Sequence, residues 1–308
     1  MSFGLSACAS LQVPVGEAKQ PIQLLNQPVF KASDGTLLYG NHWQPEGKAR
    51  AHILLFHGFN EYAGAFDQVG KRFAKQGIAM WAFDQRGFGR SPYRGLWSSA
   101  ERMAQDAREM TRLLRSTYPD TPLYVMGMSM GGAVSLLAAG RNTGLAADGL
   151  ILEAPAVWTR ATQPFYQRWA LDFTLKFTPG WSPSGEGLKI QASDNIAMLT
   201  ALGRDPWMLR KARVDTLAGL VDLMDKGFEA ADEIKLPTLL LYGQKDELVP
   251  ERPINLLWER LPKTSNTQQI RYENGWHMLS RDLQGDKVIS DIVAWIERGS
   301  RKEKRLAK

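Results

Sequence analysis

The chain has 308 residues, a formal charge of +6, 44% hydrophobic and 23% charged residues. That composition supplies a sizeable core and excludes a disordered or fibrous chain. No apolar run approaches the roughly 20 residues needed to cross a bilayer. The lone cysteine, Cys8, excludes an intrachain disulfide framework and a cysteine-based metal site.

The histidines His42, His52, His57 and His277 show no metal-ligand spacing. The positive charge is local, because the last eight residues alone carry a net +4. A nucleic-acid binder spreads basic residues over a folded face, so no nucleic-acid partner is expected, and residues 299–308 read as a frayed basic tail.

In chain order, residues 1–22 are weakly patterned and read as an N-terminal arm. Strand-like runs follow over 27–31 and, after the turn signal Ser33-Asp34-Gly35, over 36–43. Short, nearly continuous apolar runs over 52–56, 78–83, 123–126, 150–152, 238–242 and 268–272 suit parallel strands covered on both faces. Helical spacing over 66–76, 99–117, 130–139 and 286–298 separates most of them. The alternation predicts a mostly parallel, doubly wound α/β sheet of about eight strands, with its core in residues 23–155 and 236–298. Residues 156–235 show helical segments and no convincing strand, with Asp205-Pro206 expected to start a helix. This interval is expected to form a helical cap over the ligand edge of the sheet.

Gly127-Met128-Ser129-Met130-Gly131 fits G-x-S-x-G between a predicted strand and a predicted helix, the context this motif requires. Such a turn is sharp, so its neighbours must be nearly free of side chains, and it lifts the serine oxygen toward substrate. A serine needs a base to take its proton. Only His277 follows Ser129 in sequence, just after the last predicted strand. The imidazole in turn needs a carboxylate to fix its tautomer. Asp246, past the strand over 238–242, is the candidate, with Glu247 as fallback. His42 and His52 read as partly buried strand residues, His57 as a loop scaffold, and Asp84 as a structural anchor near Arg86. The N–H of Met130 and of Phe59 are the expected oxyanion donors, each typically worth roughly 2.7–4 kcal/mol in the transition state.

With these motifs in order, the chain resembles the α/β-hydrolase superfamily over about residues 27–298. Within it, the chain is similar to the monoacylglycerol lipase/lysophospholipase-like group, also called serine aminopeptidase S33-like. His57-Gly58-Phe59-Asn60-Glu61-Tyr62-Ala63-Gly64 is similar to that group's HGxxEHxG, with Tyr62 where the group usually has His. Asp84-Gln85-Arg86-Gly87-Phe88-Gly89-Arg90-Ser91 is similar to its D-x-x-G-x-G-x-S. The resemblance implies the α/β-hydrolase fold and hydrolysis of a carboxylic ester through an acyl-serine intermediate, with no metal or organic cofactor.

Residues 158–181 hold seven aromatics, and Phe165, Trp169, Phe173 and Phe177 step by four on one helix face. That stripe fastens the cap to the body, or with Trp158 lines an apolar acyl channel whose rim touches a membrane peripherally, or does both. The interval 204–213 nets +3 and reads as a solvated face or an anionic-headgroup contact. Leu5-Ser6-Ala7-Cys8 has the form of a lipoprotein cleavage box, but only seven residues, none basic, precede the cysteine. Two locations stay open: the cytoplasm, or a bacterial cell envelope with a lipid anchor at Cys8. The expected function is hydrolysis of a monoacylglycerol or lysophospholipid. A small-ester esterase, a peptidase on the same residues, and a non-catalytic binding module are the alternatives.

Overall fold

The computed structural model describes residues 10–14, 16, 20–25, 28–140, 144–183, 190–264 and 266–306. The anchor expected at Cys8 lies outside them. The strands are β1 (Gln23–Leu25), β2 (Val29–Lys31), β3 (Leu37–Trp43), β4 (Ala51–Phe56), β5 (Ile78–Phe83), β6 (Leu123–Met128), β7 (Gly149–Glu153), β8 (Thr238–Gly243) and β9 (Gln268–Tyr272). The helices are α1 (Asp67–Lys75), α2 (Ala100–Thr117), α3 (Met130–Gly140), α4 (Phe165–Phe177), α5 (Ile196–Arg204), α6 (Val214–Glu229), α7 (Glu251–Arg260) and α8 (Gly285–Leu306).

One nine-stranded sheet runs β1-β2-β3-β5-β4-β6-β7-β8-β9. It is antiparallel from β1 to β5 and parallel from β5 to β9. This is the mostly parallel, doubly wound sheet that the alternation implied, in the α/β-hydrolase architecture that the resemblance implied, with one strand more than the strand-like runs indicated. That strand, β1, is three residues long and mostly exposed, so burial left no apolar signature.

Successive residues of a buried strand point to opposite faces. Leu54 and Phe56 of β4 join a core with Val125, Leu152 and Leu240 beneath α2, α3 and α6. Ile53 and Leu55 join the opposite core, with Met126, Ile151 and Leu241, beneath α1 and α8. This two-sided demand explains why β4 to β8, buried throughout, read as nearly unbroken apolar runs, whereas the half-buried edge strand β9 carries Gln268, Gln269 and Arg271.

Four expectations need correction. The arm is not free of the core: Val13 is buried, and its N–H donates to the Trp97 carbonyl at 2.8 Å. The helical interval over 156–235 is not one separate cap, because α6 buries Val214, Ala218, Val221, Leu223 and Met224 within the body's helix layer. Asp205-Pro206 ends α5 rather than starting a helix. Pro206 has no N–H to extend the ladder, and Asp205 Oδ1 accepts the Trp207 N–H at 2.8 Å in a tight turn. Finally, α8 continues through the basic tail as far as Leu306.

Candidate active site

The parallel strands end at one edge of the sheet, where open α/β sheets carry ligands. The expected residues gather there from four strands. Phe56 of β4 is paired in register with Gly127 of β6, so the Phe59 loop and the Ser129 turn leave the sheet side by side. Asp246 follows β8, and His277 follows β9.

Ser129 adopts φ +52°, in the left-handed region that non-glycine residues seldom occupy. Such strain persists only where the surroundings enforce it. Here the turn after β7 grips both sides of the residue. The Ser129 N–H donates to the Glu153 carbonyl at 3.0 Å, and its carbonyl accepts the Ala156 N–H at 2.9 Å. Ala154, between those two contacts, is itself left-handed at φ +42°. The flanking glycines are required by space. A Cβ on Gly131 would lie 2.0 Å from the Phe56 carbonyl oxygen, and one on Gly127 would lie 2.4 Å from the Gly131 oxygen.

His277 Nδ1 lies 2.8 Å from Asp246 Oδ2, with both side chains almost wholly buried. The other carboxylate oxygen of Asp246 accepts the N–H of Leu248 at 2.8 Å and of Val249 at 3.0 Å. With three bonds on the carboxylate, Nδ1–H is the donor and Nε2 is left to accept a proton. Glu247 points elsewhere and accepts the Gln191 N–H at 2.7 Å.

Met130 opens α3, so its N–H has no partner inside the helix. Phe59 lies between Gly58, whose N–H donates to Glu61 Oε2 at 3.1 Å, and left-handed Asn60. His57 stands behind this loop and is wholly buried. Its Nε2 accepts the Gln85 N–H at 2.9 Å and its Nδ1–H donates to the Gly58 carbonyl at 2.8 Å. Burial lowers its pKa, and the neutral ring is a strut. Asp84 anchors the same loop by accepting the Ala63 N–H at 2.8 Å. Its ionic partner is Arg90 at 2.8 Å, whereas Arg86 bridges Asp34 and Asp106.

Three buried residues around this edge carry no local sequence signal: Glu153, Ser280 and Arg281. Arg281 pairs with Glu61 at 2.7 Å and lies 4.3 Å over the Phe66 ring. Glu61, at least, stands inside the motif quoted for the family resemblance.

The expected substrate-binding aromatics are divided. Trp158 is partly buried against the core. Phe165, Trp169 and Phe173 are 75%, 67% and 51% exposed, and α4 has no buried residue. The stripe therefore does not fasten the cap to the body. Leu171 turns inward against the core instead. Tyr62, from the motif position usually held by His, donates to Asp205 Oδ2 at 2.7 Å, and Leu209 N–H donates to the Asn60 carbonyl at 2.9 Å. These bonds tie the segment after α5 to the Phe59 loop. Among the described residues, no group of three or more His, Cys, Asp or Glu could hold a metal ion.

A family model for serine aminopeptidase S33 matches residues 47–284. The chain is similar to the monoglyceride lipase of Rattus norvegicus, 26% identical over 283 residues that cover 90% of this chain and 92% of that protein. It is similar to the monoacylglycerol lipase of Mycolicibacterium smegmatis, 24% identical over 87% of this chain and 95% of that protein. Among solved structures, the monoacylglycerol lipase of Paleococcus ferrophilus superposes with a TM-score of 0.68 over 85% of this chain and 99% of that one. Its 24% identity makes that last likeness one of fold.

Proposed function

Because the chain belongs to the serine aminopeptidase S33 family, we propose that it is a serine hydrolase that cleaves carboxylic esters of lipid-like alcohols, monoacylglycerols or lysophospholipids, through an acyl-serine intermediate. The class, carboxylic ester hydrolase, follows from the monoglyceride and monoacylglycerol lipases it is similar to. The observation that carries the mechanism is the 2.8 Å bond between His277 Nδ1 and Asp246 Oδ2.

In this mechanism the Ser129 hydroxyl attacks the ester carbonyl while His277 Nε2 takes its proton. Asp246 holds the tautomer and stabilises the imidazolium. The carbonyl oxygen becomes an oxyanion facing the N–H of Met130 and of Phe59. Collapse expels the alcohol, which takes the proton from His277. Water, deprotonated by the same ring, then attacks the acyl-serine and releases the carboxylic acid.

A fluorophosphonate probe tests this directly. The native protein is expected to be labelled on one serine, and Ser129→Ala to abolish labelling and lower kcat by at least about 1,000-fold. An unlabelled native protein would favour a binding module. A panel of esters of graded chain length, lysophospholipids and aminoacyl amides reads the substrate. Preference for acetyl esters or amides would remove the lipid reading and spare the serine.

The lipid reading also draws on α4. Its outward aromatics, stacked at 5.5 Å between Trp169 and Phe173, form an apolar face that a lipid surface would cover. Replacing Phe165, Trp169 and Phe173 together by Ser is expected to weaken binding to phosphatidylcholine vesicles roughly tenfold or more. Hydrolysis of a soluble short-chain ester should be unchanged. Equal vesicle binding by the variant would overturn the membrane contact.

A further inference from the structure

Glu153, the last residue of β7, is wholly buried and reaches two ways. Its carbonyl accepts the Ser129 N–H at 3.0 Å. Its carboxylate Oε1 accepts both the N–H and the hydroxyl of Ser280, at 2.9 and 3.0 Å. Ser280 lies in the short 3-10 turn Leu279–Arg281, three residues beyond His277. The second oxygen, Oε2, has no hydrogen-bond partner among the described residues, and burial raises the pKa of the group. A buried carboxyl oxygen without a hydrogen bond is costly, whereas Oε1 satisfies the buried Ser280 N–H and hydroxyl, which an apolar side chain would leave unpaired. What the carboxyl adds is a link between two loops.

We propose that Glu153 is a positioning residue for the hydrolysis, latching the Ser280 turn so that the His277 ring keeps its place relative to Ser129. The inference rests on the assignment of Ser129, Asp246 and His277 above. The Asp246–His277 bond fixes the ring relative to the acid but not relative to the serine. Glu153 spans that second distance, because its backbone holds the nucleophile turn and its side chain holds the base loop. The neighbouring Arg281 extends the link. It pairs with Glu61, which accepts the Gly58 N–H at the root of the Phe59 loop. Residues 280–281 are thus where the nucleophile, base and oxyanion loops meet.

The test compares Glu153→Gln, Glu153→Ala and Ser280→Ala on a soluble short-chain ester, at a temperature well below each variant's Tm. Gln keeps an acceptor where Oε1 stands, so its kcat should stay within about threefold of native. Ala removes the latch and should lower kcat about 10- to 100-fold with KM within about twofold, the usual scale for a misplaced catalytic group. Ser280→Ala, which loses one of the two bonds, should fall between. The rate of fluorophosphonate labelling should follow kcat. The far-downfield proton resonance of the His277 Nδ1–H should shift or broaden in Glu153→Ala and persist in Glu153→Gln. Native kcat in Glu153→Ala, or an equal loss in Glu153→Gln, overturns the latch. If Glu153→Ala does not fold, an unchanged kcat in Ser280→Ala overturns it. Activity surviving in Ser129→Ala overturns the catalytic assignment and this inference together, whereas its loss beside a native Glu153→Ala overturns this inference alone.

Discussion

At Ser129 a single residue is held in a left-handed conformation by the end of β7 and the turn after it, and the smallness of its neighbours makes that possible. Gly131→Ala would drive a methyl to 2.0 Å from the Phe56 carbonyl oxygen, a backbone atom that cannot swing aside. Gly203→Ala is a matched control, because a Cβ there meets nothing within 4 Å. We expect Gly131→Ala to lose at least about 3 kcal/mol of stability together with fluorophosphonate labelling. Gly203→Ala, on exposed α5, should gain up to about 1 kcal/mol. Denaturant titration of both variants checks the pair, and similar midpoints would show that the elbow tolerates a side chain. Ser129, Asp246 and His277 stood out in the sequence because each follows a strand-like run and has a glycine within three residues. Those signals are local. Glu153 was illegible because its partner Ser280 is 127 residues away, and a glutamate at a strand end looks like any solvated terminus.

Two helices of the interval over 156–235 show where pattern reading stops at the scale of an element. Both α4 and α6 carry apolar residues at helical spacing, yet α6 is buried in the body and α4 turns its aromatics outward. Periodicity reveals that a helix has an apolar face but not what covers it. For α6 the cover is specific: a Cβ on Gly219 would sit 2.3 Å from the Trp97 ring, so the helix and that indole are in direct contact. Stability should follow this division. Ser at Phe165, Trp169 and Phe173 should leave the unfolding free energy within about 0.5 kcal/mol per site. Trp97→Ala, which empties a buried site, should cost about 3–5 kcal/mol. Calorimetry on the two proteins reads the contrast, and comparable losses would mean that α4 is packed in solution.

Acid sensitivity belongs to the whole molecule, since it sums over sites far from the reaction. His42 on β3 and His52 on β4 are both lowered to about 4 by burial, His42 with a smaller push from His52. His42 stacks on Trp81 at 3.4 Å, and His52 accepts the Trp81 indole N–H at 3.3 Å. Both rings are therefore neutral in the fold, whereas an unfolded histidine titrates near 6.5. The unfolded chain binds more protons in that window. The stability they lend is fully present above about pH 6.5 and is lost as pH falls toward 4. Tm measured from pH 7.5 to 4 should fall less steeply in His42→Gln/His52→Gln than in the native protein. Parallel curves would refute the assignment. The doubly wound sheet and most of its strands were legible because strands buried on both faces must be apolar on both. The short edge strand β1 and the burial of Val13 were not, because each rests on a few contacts with distant residues.

The grip on Ser129 also sets how the amides of the turn trade hydrogen with solvent. The Ser129 amide is tied to the Glu153 carbonyl, while the next amide, at the open start of α3, has no helical acceptor. In heavy water, two adjacent positions of one tight turn should therefore differ sharply, the first slow and the second fast. Once a phosphonyl group occupies the serine, its oxygen would shield the second amide, and the difference between the two should shrink.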